Sequence, residues 1–164
     1  MTVKGLVAGH WIGVHDGDPR ALALLKRHYS YRRRASGQPR GSPTFVGQGE
    51  KIVLLTQDCR ALFVWRRATI ESMDRQPGVC CTVFRNEGTV LSSDLIAEAC
   101  ELAWQRWPGE RLYTYVNPTK VRSPNPGYCF KVAGWKVCGY NKTGKLLILH
   151  ILPSQTDAPF QDER

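Results

Sequence analysis

Two apolar runs near the middle of the chain set its character. Lys51-Ile52-Val53-Leu54-Leu55-Thr56 and Ala61-Leu62-Phe63-Val64-Trp65-Arg66 are rich in β-branched and aromatic residues, and the polar Gln57-Asp58-Cys59-Arg60 joins them as a hairpin turn. After Gln76-Pro77-Gly78, the run Val79-Cys80-Cys81-Thr82-Val83-Phe84 has the unbroken apolar character of a central strand buried on both faces. The period then changes from two to 3.6. Leu95, Ala99, Leu102 and Ala103 recur on one helical face, with Ile96, Cys100 and Trp107 beside them. Ser92 and Ser93 offer N-cap hydroxyls, Asp94 complements the dipole of the first turn, and Pro108-Gly109 ends the helix. Arg111-Leu112-Tyr113-Thr114-Tyr115-Val116 returns as a strand, and the crossover is long enough to join parallel strands. A short helix over 127–132 and strands near 135–140 and 146–152 complete the pattern. Upstream, Asp18-Pro19 opens a basic-faced helix over Arg20–Arg33 with Leu22, Leu24, Leu25 and Tyr29 as its apolar positions.

These elements predict an α/β (α+β) fold, a mixed central sheet flanked by helices in a single domain over 1–153. A basic helix and loop occupy 20–43, a core 50–152, and 154–164 forms a polar tail that frays. The Gly-, Ser- and Pro-rich stretch 34–43 reads as a loop that can wait for a partner before it orders.

Charge sharpens this picture. The chain carries a formal net charge of +9, and Lys26, Arg27, Arg32, Arg33 and Arg34 fall within one short run, with Arg40, Arg66, Arg67, Lys120 and Arg122 further along. A polyanion suits such a surface, because neutralised phosphates release condensed counterions. Against this stands the plainer reading of a solvated basic face. The six cysteines have no Cys-x-x-Cys spacing, and several lie inside apolar runs, so core packing is expected of them and no metal is assigned. His10 and His15 with Asp16 and Asp18 lack a convincing ligand spacing as well. No stretch has the length of a membrane span or the pattern of a secretory signal, which predicts a cytoplasmic protein.

Two segments carry candidate chemistry. The first is the junction from Arg85 to Asp94, where a buried strand runs into a loop containing Gly88 and then into a helix. Free N–H groups at such a helix start cradle phosphate or carboxylate, and Arg85 adds a charge-assisted bond. The second is the loop from Asn117 to Trp135. Pro118, Pro124 and Pro126 stiffen it and hold Ser123, Asn125 and Tyr128 in reproducible places.

In this order the two segments resemble the C-terminal half of the GNAT acyltransferases. There a strand leads into an Arg/Gln-x-x-Gly-x-Gly/Ala pyrophosphate loop and a long helix, and a further strand leads through an Asn-containing turn to a short helix ending in Tyr-x-x-x-Gly-Phe. Arg85-Asn86-Glu87-Gly88 is similar to the start of that loop, and Phe130-Lys131-Val132-Ala133-Gly134-Trp135 to the end of that helix. The resemblance spans about residues 79–152. Val90 stands where the second loop Gly or Ala belongs, and Phe130 replaces the usual tyrosine acid, with Tyr128 two residues upstream. Phenylalanine cannot exchange a proton, so the customary acid is missing at that position. With these departures, His28-Tyr29-Ser30 and Asn125-Pro126-Gly127-Tyr128-Cys129-Phe130 are similar to the phage Mom-type DNA-modification proteins, GNAT-like proteins that add a carbamoylmethyl group to the exocyclic amine of adenine and protect phage DNA from restriction.

The resemblance implies a DNA-modifying transferase. Its donor would sit at Arg85, Asn86, Gly88, Ser92 and Ser93, and its catalytic groups would be Tyr128, Asn125, Ser123 and Glu87. His28, Tyr29, Tyr31, Arg32, Arg33, Arg34, Arg40, Lys120 and Arg122 would hold DNA, with Tyr29 or Tyr31 stacking on a base. His28 as a general base is disfavoured by its cationic neighbours. The donor stays open between acetyl-CoA and another acyl- or glycyl-type group, and a homodimer stays open. A conventional acetyl-CoA-dependent N-acetyltransferase acting on a protein or small amine, and a non-catalytic DNA-binding protein, are the competing readings.

Overall fold

The computed structural model describes residues 7–31, 44–69, 76–121 and 123–153. Within them, three helices accompany one mixed sheet of eight strands: β1 (Val7–Ala8), β2 (Trp11–Val14), β3 (Glu50–Thr56), β4 (Ala61–Arg67), β5 (Val79–Asn86), β6 (Leu112–Val116), β7 (Lys136–Tyr140) and β8 (Leu147–Ile151). The helices are α1 (Pro19–Leu25), α2 (Ser92–Arg106) and α3 (Tyr128–Val132). Spatial order is β1-β2-β3-β4-β5-β6-β8-β7. Every neighbouring pair is antiparallel except β5 and β6, which the α2 crossover joins as parallel strands. The mixed sheet, the β3–β4 hairpin and the crossover agree with the sequence pattern. Strands β1 and β2 were not visible in it, because a two-residue and a four-residue strand around Gly9 are too short to show a period.

The sheet divides the core in two. Alternate residues of β3 and β4 (Ile52, Leu54, Phe63, Trp65) point to one face, where they pack with Leu95, Ile96, Ala99, Leu102 and Ala103 of α2 and with Phe130 and Trp135. Trp11 and Trp65 satisfy their indole N–H groups on α2 itself, donating to the Leu95 carbonyl (2.8 Å) and the Ala99 carbonyl (2.9 Å). Buried indoles need such a partner, and here the partners also fix how α2 lies on the sheet. On the other face, Val53, Leu55, Leu62, Val64 and Val83 pack with Ala21, Leu24 and Leu25 of α1.

Three local features depart from the sequence expectation. Helix α1 starts as expected, with the Asp18 carboxylate capping the Arg20 amide at 2.8 Å and Pro19 in the first turn, yet it ends at Leu25 rather than Arg33. The chain then tightens through bonds from the Arg27 and His28 amides to the Leu24 and Leu25 carbonyls, which swing His28 and Tyr29 toward the sheet. Ser92 and Ser93 do not cap α2. They are its first two residues, Leu91 is the cap position, and no side chain caps the helix. Thirdly, the β4–β5 ladder slips: Val64 faces Val83 while Trp65 faces Cys81, so Thr82 is an extra residue, a β-bulge. The bulge reverses the alternation of β5. Val79 and Cys81 point to the α2 face, and beyond the bulge Val83 points to the α1 face.

Candidate functional site

The bulge coincides with a parting of strands. β5 and β6 pair only over Val79–Leu112, Cys80–Tyr113 and Cys81–Thr114, although β5 runs on to Asn86 and β6 to Val116. Beyond Cys81 the strands no longer form a ladder. In an open α/β sheet, an opening at the carboxyl ends of parallel strands is where ligands bind. The backbone groups released there must find other partners.

Tyr29 supplies one of them, with His28 packed against it. The Tyr29 hydroxyl accepts from the Asn117 amide, just past the end of β6, at 3.3 Å. The His28 Nδ1 accepts from the Ser30 amide at 3.1 Å and lies 2.7 Å from the Ser30 hydroxyl. The ring also lies beside the main chain of Phe84 on β5, a neighbour that favours the protonated form. The two rings stack at 4.5 Å between centroids, with 28° between planes. The Tyr29 ring thus bonds to the end of β6, and the His28 ring stacked on it sits beside β5, so the pair bridges the opening. Burial first, and then the Arg85 charge, push the His28 pKa down to about 4, so the imidazole is neutral at pH 7.

Beside this clasp, Glu87 lies between two arginines. The Arg27 Nε and the Arg85 Nε each donate to its Oε2 at 2.6 Å. The bonds from Arg27 and then Arg85 hold its pKa down at about 2. A carboxylate of that acidity is a weak base at neutral pH, and its geometry is that of a link between the end of α1 and β5.

The residues of the loop between β5 and α2 take up defined positions. Asn86 Nδ2 donates to the Val90 carbonyl (2.7 Å) and to Ser92 Oγ (3.0 Å), while its Oδ1 accepts from the Gly88 amide (2.9 Å). Asn86 thus pins the loop from within. The Glu87 amide donates to the Arg60 carbonyl at 2.7 Å. Two loop amides are consumed in this way, and the amides offered to an anion are those at the uncapped start of α2. Gly88 is needed for a close approach, but to the protein itself: a Cβ there would stand 3.2 Å from the Arg60 Cβ. The same loop borders a cleft of about 270 Å³ that His10, Thr56 and Arg60 also line.

Ser123, Asn125 and Tyr128 form one local turn. Ser123 Oγ accepts from the Asn125 amide (3.1 Å), the Asn125 carbonyl accepts from the Tyr128 amide (3.1 Å), and Asn125 Oδ1 accepts from Lys131 Nζ. Gly127 supports the turn with φ +77°, at a point where a Cβ would press on Leu149 at 3.0 Å. The Tyr128 ring is 60% exposed. Phe130, the next inward residue, packs edge-on against Phe84 at 5.9 Å, which connects this turn to β5 through apolar contact.

Among the DNA-contact residues expected from the sequence, Tyr29 is 38% exposed and Lys120 is exposed, whereas Tyr31 packs against the α1 cluster. Arg32, Arg33, Arg34, Arg40 and Arg122 lie outside the described residues. The features that sequence reasoning missed are Arg27 and the main chains of Phe84 and Asn117. No side-chain pattern reports a main-chain amide at the end of a strand. Cys80, Cys81 and Cys100 are desolvated thiols whose pKa values burial raises, to about 12 for Cys80 and Cys100. Comparison of the chain with protein-family models, with curated proteins and with solved structures gives no match. Among the described residues no helix is long and apolar enough to cross a membrane.

Proposed function

We propose that the chain is a GNAT-like transferase that modifies DNA, adding a carbamoylmethyl-type group to the exocyclic N6 amine of adenine. The observation that carries this reading is the parting of the parallel strands β5 and β6 at a bulge, beside a glycine-containing loop that opens an uncapped helix. It is supported by the strand order, in which the C-terminal strand β8 inserts between β6 and β7, and by the excess of basic residues. The donor lies along the opening, with its anionic part at the first amides of α2. The adenine enters from the rim after leaving the base stack, and the exposed Tyr29 ring offers it a stacking surface. N6 is a weak nucleophile because its lone pair is delocalised, so holding it against the donor carbon is the main task. The new bond joins N6 to that carbon, the donor's leaving group departs with the bonding electrons, and N6 gives up one proton to solvent water. Tyr128 and Asn125 orient the reacting groups from the α3 turn. Glu87 keeps Arg27 and Arg85 in place beside the opening.

Nucleoside mass spectrometry of plasmid DNA from cells expressing the protein tests this reading, with Tyr128→Phe alongside. A modified adenosine heavier by the carbamoylmethyl group, and absent with the variant, is expected. Unmodified nucleosides from cells rich in folded protein would overturn it, and acetyl-CoA-dependent acetylation of an amine would then be the reading to pursue. Product made equally by Tyr128→Phe would remove Tyr128 from the reaction while leaving the reaction itself in place.

A further inference from the structure

Away from the opening, a row of register partners crosses the sheet. Lys51 on β3 faces Arg66 on β4, Arg66 faces Cys80 on β5, Cys80 faces Tyr113 on β6, Tyr113 faces His150 on β8, and His150 faces Lys136 on β7. All six point to the α1 face, because their sequence neighbours Ile52, Trp65, Val79, Cys81, Leu112, Leu149 and Trp135 belong to the core on the opposite face. Helix α1 packs on this face against β4 and β5, while α2 and α3 pack on the other. Arg111 joins the row by lying 5.1 Å above the Tyr113 ring.

The charges in this row are treated differently from those elsewhere on the sheet. Arg67 and Arg106, at the edge of the α2-side core, meet the carboxylate of Glu50, and Arg67 also approaches Glu110. Lys51, at one end of the row, meets Asp16. Among the described residues, Arg66 and Arg111 have neutral partners. Arg66 Nε donates to the Gln48 carbonyl. Arg111 donates to His150 Nδ1 (2.7 Å), the Pro77 carbonyl (2.9 Å), Gln76 Oε1 (3.0 Å) and the Cys138 sulfur (3.5 Å). Among the described residues no carboxylate forms an ion pair with Arg66, Arg111 or Lys136. Arg111 is thereby fixed by neutral groups among the described residues, and His150 stays uncharged because burial, Arg111 and Lys136 all lower its pKa.

Spacing identifies the ligand. Arg66 and Lys136 are four strands apart, about 19 Å at the usual inter-strand distance, and the whole row runs about 24 Å. No single phosphate or carboxylate reaches both ends, so the complement is a repeating anion. Duplex DNA carries a charge for about every 1.7 Å of its axis and matches a cationic row of this length. We propose that the row Arg66–Arg111–Lys136 is a track for the sugar–phosphate backbone of DNA. It is separate from the basic run at 26–34, and it rests on the DNA reading above only for the identity of the polyanion. Contacts of this kind position a duplex without reading its sequence, so the track holds DNA in register while the opening between β5 and β6 handles one base.

The test is the salt dependence of binding to a labelled DNA duplex, followed by fluorescence anisotropy. Three proteins are compared, each confirmed to be folded by circular dichroism: wild type, Arg66→Gln/Lys136→Gln, and Lys142→Gln/Lys145→Gln in the β7–β8 turn, which removes the same charge away from the row. The row variant should flatten the plot of log K against log salt by about 1.8, or about 0.9 for each lost phosphate contact. The turn variant should keep the wild-type slope. Wild-type binding with an unchanged slope in the row variant overturns the track and leaves the DNA reading intact. Equal flattening in both variants also overturns it, since total charge would then be the cause. Absence of salt-dependent DNA binding by the wild type removes the track and the DNA reading together. Loss confined to vesicles of anionic lipid would replace DNA by a membrane surface and overturn the track.

Discussion

The two faces of the sheet solve different problems. The α2 face is closed: Trp11, Phe63, Trp65 and Trp135 are buried, two indoles bond to helix carbonyls, and the arginines at its margin meet carboxylates. The α1 face is closed over β3 to β5 by a helix of seven residues, and over the rest it carries the buried Tyr113 and, among the described residues, arginines with neutral partners. One face therefore carries stability, and on the other the described arginines meet neutral groups. The bulge at Thr82 lies on the boundary, because it is where β5 changes the face to which its residues belong.

The widest separation between the faces should appear on truncating Trp65. Its ring is fully buried, stacks with Trp135 at 6.3 Å, and bonds to Ala99. Trp65→Ala should cost about 3–5 kcal/mol in urea unfolding, the usual range for an aromatic core deletion. Lys136→Gln on the open face should leave the midpoint almost unmoved, as surface substitutions do. Similar losses from both would mean that the two faces share the structural load, and the contrast would fail.

How far this contrast was legible in the sequence depends on what kind of signal each part leaves. The crossover helix was readable because Leu95, Ala99, Leu102 and Ala103 repeat with the helical period on a well-covered face. The β3–β4 hairpin was readable because Gln57 to Arg60 interrupts two apolar runs, and Cys59 does adopt a left-handed turn conformation there. The end of α1 was not. Arg20–Arg33 keeps helical spacing on paper, but the bond between Tyr29 and the end of β6, with His28 stacked beside it, competes with further helix, and tertiary contacts of that kind leave no local trace. The caps assigned to Ser92 and Ser93 fell one turn position late for a similar reason, since Asn86 captures the Ser92 hydroxyl from outside the helix. The basic run at 26–34 was obvious as composition. The row on the sheet was hidden, because its successive members are 14 to 37 residues apart and only the register brings them into line.

A smaller effect probes the boundary itself. Tyr29→Phe keeps the ring that stacks on His28 and removes only the oxygen that accepts from the Asn117 amide. A single neutral hydrogen bond contributes about 0.5–1.5 kcal/mol, so global stability should fall by no more than that. Hydrogen exchange should be the sharper reading: the Asn117 amide exchanges faster in the variant, while amides paired within β3 and β4 keep their rates. Unchanged exchange at Asn117 would show that the tyrosine does not hold the end of β6.

The gentlest test uses pH, and its sign follows from the direction of the His28 shift. The folded imidazole has its pKa lowered from 6.5 to about 4, mainly by burial and then by Arg85. Between those values the unfolded chain takes up a proton that the folded chain refuses, so stability falls as the pH drops from about 6.5 toward 4 and is unaffected by this group above 6.5. One fully linked proton gives about 1.4 kcal/mol per pH unit, and partial exposure of the ring makes the real slope shallower. His150 is shifted in the same direction and leaves a residual slope, while Glu87 and Asp18, with lowered carboxyl pKa values, add their losses only at more acidic pH. His28→Phe should therefore flatten the stability profile between pH 6.5 and 4.5 without abolishing it, and at pH 7.5 its cost should be that of the lost bonds to Ser30. If wild type and His28→Phe fell in parallel through that window, His28 would be titrating normally. The clasp across the opening would then have to rest on the Tyr29 hydroxyl without help from a neutral imidazole.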